Sequence, residues 1–417
     1  MDQPRIFVQI ASYRDPELVP TIRDCIAKAK YPDQLTFGIC WQRDETESLQ
    51  EFANDPRVKV VEIHWTESKG ACWARSHIQK FWDGEEYLLQ LDSHHRFLPN
   101  WDVILIDMYN GLKAQGVKKP LLTAYLPDYK PAIDPEGRTM DLWQICYDRF
   151  QPEGPVFFKP CGVKNWQLMP GPFPARGLSG HFVFTEGNWC KEVPYDSELY
   201  FHGEEISMAV RSYTHGYDLF HPNKLVVWHF YSRETDKKHW SDHKNWGDLN
   251  ASSYKRVRVL LGVDDEDPNQ IDFKACGLGN VRTVHDFERY AGVVFKTRRF
   301  HKEVMEFKLA PITYNNEEDF QKNLLREFKH CINIHRSELA ETDYDFWCVV
   351  FKDKQDRDLR RIDANTEEIK SIMSNTTGGA FVLIWRSFEC QEQPYKWVVW
   401  PHSVSKDWNT KQLEGVL

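Results

Sequence analysis

The chain has 417 residues, which is long for one domain, so we expect a main domain with an appended module. The net charge is −9 and both signs are interspersed, and without a basic block nucleic acid is excluded as the main partner. No apolar stretch approaches the roughly 20 residues that are needed to cross a bilayer.

The start of the chain and its cysteines indicate the compartment. A polar tetrapeptide leads straight into an apolar run, so we expect no signal peptide. The 10 cysteines are scattered without a C-x-x-C pair, which is typical of reduced thiols. Both observations favour a cytoplasmic protein.

In chain order, short apolar runs alternate with amphipathic segments. The run over 5–15 ends in polar residues, and Asp15-Pro16 then predicts the start of a helix with apolar residues at helical spacing from Leu18 to Ala29. Further strands are predicted over 35–44, 58–65, 87–95, 120–127, 180–185 and 224–233. Further helices are predicted over 69–82, 201–217 and 284–295. This alternation predicts an α/β, Rossmann-like domain with a mostly parallel central sheet.

Two regions depart from the alternation. Residues 150–180 are rich in Pro and Gly and predict a long loop that acts as a lid, with Arg176, Ser179 and Gly180 as its inner contacts. After about residue 300, a predicted helix over 317–335 precedes strand-like runs. We therefore predict two domains, 1–298 and 299–417, the second being an α+β or β module of unknown role.

The predicted strand over 87–95 ends in Asp92-Ser93-His94. Residues i and i+2 of a strand point the same way, and such sheets bind ligands beyond the carboxyl ends of their strands. An oxygen and an imidazole ligand together suit Mn²⁺ or a similar cation. The alternative is a polar cap on the strand, because a D-x-H triplet is expected by chance in a chain of this length.

Several segments, in the same order, resemble the polypeptide N-acetylgalactosaminyl- and N-acetylglucosaminyltransferases. "GACWARSHIQKF", "LDSHHRFLPNWD", "YFHGEEISMAVR" and "VVWHFYSR" match that family's Gly-x-x-x-Ala-Arg pattern, its Asp-x-His motif, its Gly-Glu segment and its later single histidine. "IFVQIASYRD", "CWQRD" and "ERYAGVVF" resemble the branch that transfers N-acetylglucosamine to hydroxyproline in a cytoplasmic protein. The resemblance spans roughly residues 4–295 and implies a metal-dependent glycosyltransferase domain of the GT-A type.

The resemblance implies a set of site residues. Asp92, His94 and His229 would hold Mn²⁺ or another divalent cation such as Mg²⁺, although His229 could instead be a structural histidine of an aromatic cluster. Arg75 would lie near the diphosphate, unless it is only a solvated charge on a helix. The remaining nucleotide-sugar contacts, whose alternative is ordinary loop polarity, would be Ser12, Tyr13, Arg14, Arg43, Asp44, Ser93, Ser179, Gly180 and Gly203.

Glu204 and Glu205, together with Arg75, are the expected catalytic residues. The carboxylates would grip sugar hydroxyls and the incoming acceptor hydroxyl, or simply favour the N-terminus of a helix. The resemblance implies UDP-GlcNAc as donor, a polypeptide acceptor and retention of configuration, with the leaving phosphate accepting the acceptor's proton. Glu205 stands where galactosamine-transferring relatives have Asn, so N-acetylgalactosamine or glucose stays open as the donor sugar. Hydroxyproline, Ser and Thr stay open as acceptors, as does a homodimer.

Two other functions compete with this hypothesis. A metal-dependent hydrolase could use His239 and His243, which have the i, i+4 spacing of two helix ligands but lack the Glu of H-E-x-x-H. A catalytically inactive, transferase-like module could use the aromatic residues to hold a peptide or glycan. Motifs for a P-loop, a dinucleotide site or a serine hydrolase are missing from the sequence.

Overall fold

The computed structural model of the protein describes residues 3–233 and 236–417. These residues form two compact units. The first comprises residues up to Arg298 together with Glu303–Thr313, and the second comprises Arg299–Lys302 and Tyr314–Leu417. The accessory role that we predict for residues 299–417 stays a prediction.

The first unit is mixed α/β. Its strands are β1 (Ile6–Tyr13), β2 (Leu35–Arg43), β3 (Val58–His64), β4 (Tyr87–Asp92), β5 (His95–Phe97), β6 (Pro120–Thr123), β7 (Trp143–Phe150), β8 (Val156–Gly162), β9 (Phe173–Pro174), β10 (Phe182–Glu186), β11 (Asp218–His221), β12 (Val227–His229) and β13 (Val293–Val294). Its helices are α1 (Leu18–Lys28), α2 (Ala71–Ile78), α3 (Trp101–Ala114), α4 (Trp189–Glu192), α5 (Glu204–Thr214), α6 (His239–Asp242), α7 (Trp246–Leu261) and α8 (Val284–Ala291). A short helix, α9 (Lys302–Met305), follows.

The central sheet has eight strands in the order β3-β2-β1-β4-β10-β6-β11-β9. The pairs β3–β2, β2–β1, β1–β4 and β6–β11 are parallel, and the pairs made by β10 and β9 are antiparallel. Helices α1 and α3 cover one face, where Ile22 and Leu105 join Val8 and Leu89 in a single core. The predicted fold class, α/β with a mostly parallel central sheet, is confirmed.

Two predictions about individual elements are wrong. The 150–180 segment is not one long loop, because it contains the strand β8, which pairs with the preceding strand β7 in an antiparallel hairpin. The predicted 317–335 helix ends early: α10 (Glu317–Lys322) is followed by the twelve-residue strand β15 (Leu324–His335). Phe328, Ile332 and Ile334 are buried in this strand, and pairing with another strand outweighs the helix propensity of the segment.

The second unit is built from two sheets. Besides β15, its elements are β14 (Arg299–His301), β16 (Tyr344–Lys352), β17 (Asp358–Arg361), β18 (Ala364–Asn365), α11 (Thr366–Ser374), β19 (Phe381–Cys390), β20 (Lys396–Ser403), β21 (Asp407–Trp408) and β22 (Leu413–Val416). β15 pairs with β19, and β16 pairs with β20 at the centre of the other sheet. Ile332 and Ile384 of one sheet and Trp347 and Val399 of the other share one core.

Two further findings concern the cysteines and the helices. All 10 cysteines are free thiols. In the described part of the chain, every helix is too short or too polar to cross a membrane.

Candidate metal and nucleotide site

The carboxyl end of β4 places two of the candidate ligands. Asp92 is the last residue of this strand and lies beside Ala11 of β1. The chain then turns through His94 into β5, where His95 lies opposite His229 of the antiparallel strand β12. The short β5–β12 pair therefore places His229 next to His94, although the two residues are 135 positions apart in the chain.

Asp92, His94 and His229 form a group whose ligand atoms all lie within 4.8 Å of one another. The Nε2 atoms of the two histidines are 3.0 Å apart. One Asp92 oxygen, Oδ2, is 3.5 Å from the Nε2 of His229 and 3.9 Å from that of His94. In the described residues this is the one group of three side chains with such geometry.

The charge states of this group fit a divalent cation. Burial lowers the pKa of His229 to about 3, so the ring is neutral and offers a lone pair. Burial opposes ionisation of Asp92, but the hydrogen bond to His229 and the charge of Arg75 outweigh it and hold its pKa well below the usual value. Two imidazole side chains and a carboxylate are a donor set that suits Mn²⁺ and related cations.

Arg75 of α2 sets the orientation of the carboxylates. Its guanidinium donates to Glu204, and its Nη2 donates to Asp92 Oδ1 over 2.7 Å. Tyr195 lies under the guanidinium and also donates to Glu204, over 2.7 Å. Because Arg75 occupies Oδ1 of Asp92, the other oxygen of that carboxylate is left facing the two histidines.

Glu205 begins α5 beside Glu204 and lies in a different polar environment. Its carboxylate accepts from the Tyr125 hydroxyl over 2.5 Å and from the Gly180 backbone N–H over 2.9 Å. Burial raises the pKa of Glu205 to about 7, although both hydrogen bonds oppose the rise. This carboxyl group can therefore hold or release a proton near neutral pH.

A cleft of about 200 Å³ opens onto Asp92 and His94 of this candidate metal site. Its lining comes from the ends of β1, β2 and β4, from α2, and from the segments before α5 and after β12. The polar and aromatic lining residues include Tyr13, Asp15, Gln42, Arg75, Asp92, Ser93, His94, Tyr200, Phe201, Arg233, Lys237, Lys238, His239 and Trp240. Three of these, Arg233, Lys237 and Lys238, are cations contributed by one segment. Positive side chains and a metal group in one cleft are the chemistry that a diphosphate needs.

Comparison with known proteins gives the family. The model of the family described as Glycosyltransferase (GlcNAc) matches residues 5–52 and 48–297, more than half of the chain. The chain belongs to this glycosyltransferase family. A search of the curated proteins finds no match.

Several solved structures are similar to part of the chain. GalNAc-T7 with UDP, GalNAc and Mn²⁺ is 14% identical over 68% of this chain and 54% of that chain, with a TM-score of 0.45. S. aureus TarS 1-349 in complex with UDP-GlcNAc is 12% identical over 57% of this chain and 61% of that chain, with a TM-score of 0.36. The mannosyltransferase PcManGT from Pyrobaculum calidifontis, with GDP-Man and Mn²⁺, is 13% identical over 61% and 70%, with a TM-score of 0.38. The chain thus spans less than two thirds of the length of GalNAc-T7 and TarS 1-349.

Within this glycosyltransferase domain, the structure brings part of the predicted nucleotide site together. Tyr13 and Ser93 line the cleft with Arg75. Ser12 is buried, and its hydroxyl has no hydrogen-bond partner among the described residues. Gly180 lies against the Arg75–Glu204 pair, since a Cβ on it would be 3.0 Å from Glu204 Oε1.

Other predicted contacts lie away from the cleft lining. Arg14 forms salt bridges with Asp44, through Nη2, and with Asp242, through Nη1, each over 2.8 Å. Arg43 pairs with Glu62 over 2.6 Å and lines a separate groove. Their roles in nucleotide binding stay predictions.

Three further residues of the predicted site are engaged in the backbone geometry and hydrogen bonding of the fold. Ser179 is buried, and its backbone N–H donates to Thr123 Oγ1 over 2.9 Å. Gly203 adopts φ +92° directly before α5. Arg176 is buried and donates to the Lys308 carbonyl over 2.5 Å.

Sequence reasoning missed Asp15 and His181. Asp15 was read only as a helix start, yet its carboxylate accepts from His94 Nδ1 over 2.8 Å. The His181 ring stacks on His229 with centroids 4.2 Å apart, and on Tyr125 at 5.5 Å. For His181, the available signal was its position in "GHFVFT", directly after the proposed lid contact Gly180.

His239 and His243, the candidate ligands of a metal-dependent hydrolase, stack on each other and form hydrogen bonds with neighbouring residues. The rings of His239 and His243 stack with centroids 3.9 Å apart. The nitrogens of His239 meet the Tyr200 hydroxyl at 2.8 Å and the Ser68 carbonyl at 3.2 Å, and His243 Nε2 donates to the Trp65 carbonyl. This geometry disfavours a metal site on α6.

Proposed function

We propose that this protein is a metal-dependent, retaining glycosyltransferase that moves N-acetylglucosamine from UDP-GlcNAc to a hydroxyl group of a polypeptide. The convergence of Asp92, His94 and His229 next to the buried Arg75 pair is the observation that carries the proposal. Membership of the GlcNAc glycosyltransferase family supports the reaction class. Hydroxyproline, Ser and Thr are the candidate acceptors, and the cytoplasm is the proposed compartment.

In this proposal Asp92, His94 and His229 hold Mn²⁺ or Mg²⁺ at the rim of the sheet. The chemistry that such a cation supplies when bound is Lewis-acid stabilisation of the leaving diphosphate, typically several kcal/mol. Tyr13 and Ser93 of the cleft lining contact the nucleotide. Arg233 lies in the same cleft and carries a positive charge toward the diphosphate.

Glu204 is a positioning carboxylate in this scheme. Its Oε1 is already held by Arg75 and Tyr195, so it presents a fixed acceptor to a sugar hydroxyl beside Gly180. A preorganised acceptor of this kind loses little entropy when the substrate arrives. Glu205, with a pKa of about 7, can hold the proton of a neighbouring hydroxyl without a nucleophilic role. The leaving phosphate then accepts the proton of the acceptor on the same face of the sugar.

The test is UDP binding by calorimetry and turnover of UDP-GlcNAc, each with and without Mn²⁺, for the wild type and Asp92→Asn. We expect metal-dependent binding and hydrolysis in the wild type, and a loss of more than about 100-fold in the variant, larger than the effect of removing a residue that only orients a ligand. Asp107→Asn, on the exposed side of α3, is the control and should behave as wild type. Wild-type protein that binds no uridine nucleotide with any divalent metal would favour the inactive binding module.

A further inference from the structure

Asp15 is a buried carboxylate that contacts the proposed metal site without belonging to its ligand set. It follows β1 directly and is 2% exposed. Its Oδ2 accepts from Ser93 Oγ over 2.5 Å, from His94 Nδ1 over 2.8 Å and from Arg233 Nη2 over 3.1 Å. Its Oδ1 accepts the backbone N–H of Glu17 over 3.0 Å, which fixes the plane of the carboxylate at the start of α1.

This contact determines which nitrogen of His94 carries the proton. A carboxylate oxygen has no hydrogen to give, so the ring nitrogen that faces it must be the donor. Nδ1 is therefore protonated, and in the neutral form of the ring Nε2 carries the lone pair. That lone pair points toward His229 Nε2, 3.0 Å away, and toward Asp92.

We propose that Asp15 is the positioning residue that makes His94 a metal ligand, by holding its ring in the orientation and tautomer that direct Nε2 into the cleft. The inference rests on the proposed metal site and deepens it. A carboxylate behind a ligating histidine also makes the imidazole more basic and so a stronger ligand. The Ser93 hydroxyl also donates to Asp15 Oδ2. Two adjacent residues therefore supply a metal ligand, His94, and a hydrogen bond that fixes the carboxylate of Asp15.

Arg233 modifies this support. Its Nη2 shares the Asp15 oxygen, and its Nη1 lies 3.0 Å from Nδ1 and 3.3 Å from Nε2 of the His94 ring. The guanidinium therefore weakens the hydrogen bond between Asp15 and His94. It also places a positive charge next to the His94 ring. Removing Arg233 should strengthen the binding of a cation, which is the opposite of the effect expected for Asp15.

The experiment measures the Kd for Mn²⁺ alone, without nucleotide, by calorimetry or by electron paramagnetic resonance. Asp15→Asn keeps the size of the side chain but removes its charge, and we expect about 10- to 100-fold weaker binding. Asp102→Asn is the matched control, because Asp102 is equally buried but accepts only from the backbone of Lys30 and Tyr31. Its Kd should equal that of the wild type.

Each outcome decides a separate question. Equal Mn²⁺ affinity in Asp15→Asn and wild type overturns the inference and leaves the proposed function standing. A wild type that binds no Mn²⁺ overturns the metal site itself. If Asp15→Asn does not fold, the ¹⁵N NMR signals of the His94 ring in the wild type decide: a proton on Nδ1 supports the inference, and a proton on Nε2 alone overturns it.

Discussion

At the scale of residues, Arg75 controls the charge of the site. A buried guanidinium is tolerated only with partners, and this one has Asp92 and Glu204, from two different elements. Its planar fork can reach two carboxylates at once, which the single ammonium of a lysine cannot do in the same way. The consequence is that Asp92 keeps one oxygen near the histidine pair, while Glu204 is held by Arg75 and Tyr195.

Glu205 gives a pH-dependent prediction at this scale. Because its pKa is raised to about 7 in the folded protein, the folded state holds the proton more tightly than the unfolded chain between about pH 4.5 and 7. Stability should therefore fall as pH rises through this window, by at most roughly 3 kcal/mol at about 1.4 kcal/mol per pH unit. Glu205→Gln keeps the shape and removes the charge, so it should raise the Tm at pH 8 and leave the Tm at pH 5 nearly unchanged.

Thermal unfolding at the two pH values checks this prediction. Glu62→Gln, an exposed carboxylate on β3 paired with Arg43, is the control and should change neither Tm by much. A lower Tm for Glu205→Gln at pH 8 would mean that the bonds from Tyr125 and Gly180 stabilise the carboxylate by more than its burial costs.

At the scale of elements, Gly203 sets the angle at which the chain enters α5. Its φ of +92° lies in the left-handed region, and a Cβ would be 2.6 Å from Val257 Cγ2 of α7. Gly203→Ala should therefore destabilise the protein by about 1–2 kcal/mol from backbone strain alone, with the clash adding to it. Chemical denaturation measures the change.

The matched control lies in another helix. Gly111 of α3 has open space around its Cα and helical φ, so Gly111→Ala should stabilise the protein by about 0.5–1 kcal/mol. Equal effects of the two substitutions would contradict the strain argument. If Gly203→Ala also weakens UDP binding, the start of α5 must be held in place for the carboxylates at its first two positions to act.

The strands of the central sheet were predictable because their apolar runs are short and bounded by polar residues. β1, β2, β3 and β4 fall within the predicted runs. β15 was not predictable, because the local sequence of Leu324–His335 is compatible with a helix as well as a strand. Its strand conformation depends on pairing with β19, which lies about 50 residues downstream. The β7–β8 hairpin was missed because Pro and Gly within it suggested a loop.

The site was predictable where its residues are close in sequence and not where they meet through the fold. Asp92 and His94 are two residues apart, so strand geometry suggested that they act together. Asp15 lies 79 residues from His94, and nothing in its local sequence indicates the contact. His229 came from the resemblance alone, because a lone histidine in an aromatic run carries no ligand signal.

At the scale of the whole molecule, each of the two units has its own hydrophobic core. Val8 and Leu89 belong to the core of the first unit, and Trp347 and Val399 belong to that of the second. Cores that share no residue can unfold separately. We therefore expect calorimetry of the full chain to resolve two transitions, and Val399→Ala, which opens a cavity in the second core, identifies the transition of the second unit by lowering it.

Ligands should then act on one transition only. Metal and nucleotide are proposed to bind residues of the first unit, and a ligand that binds only the folded state stabilises it by about 2.7 kcal/mol at 100 times its Kd. Adding Mn²⁺ and UDP should raise the Tm of the transition that Val399→Ala leaves unchanged, and Asp92→Asn should abolish the rise. A shift of the other transition instead would place the nucleotide site in residues 314–417, where the sequence gives no reason to expect one.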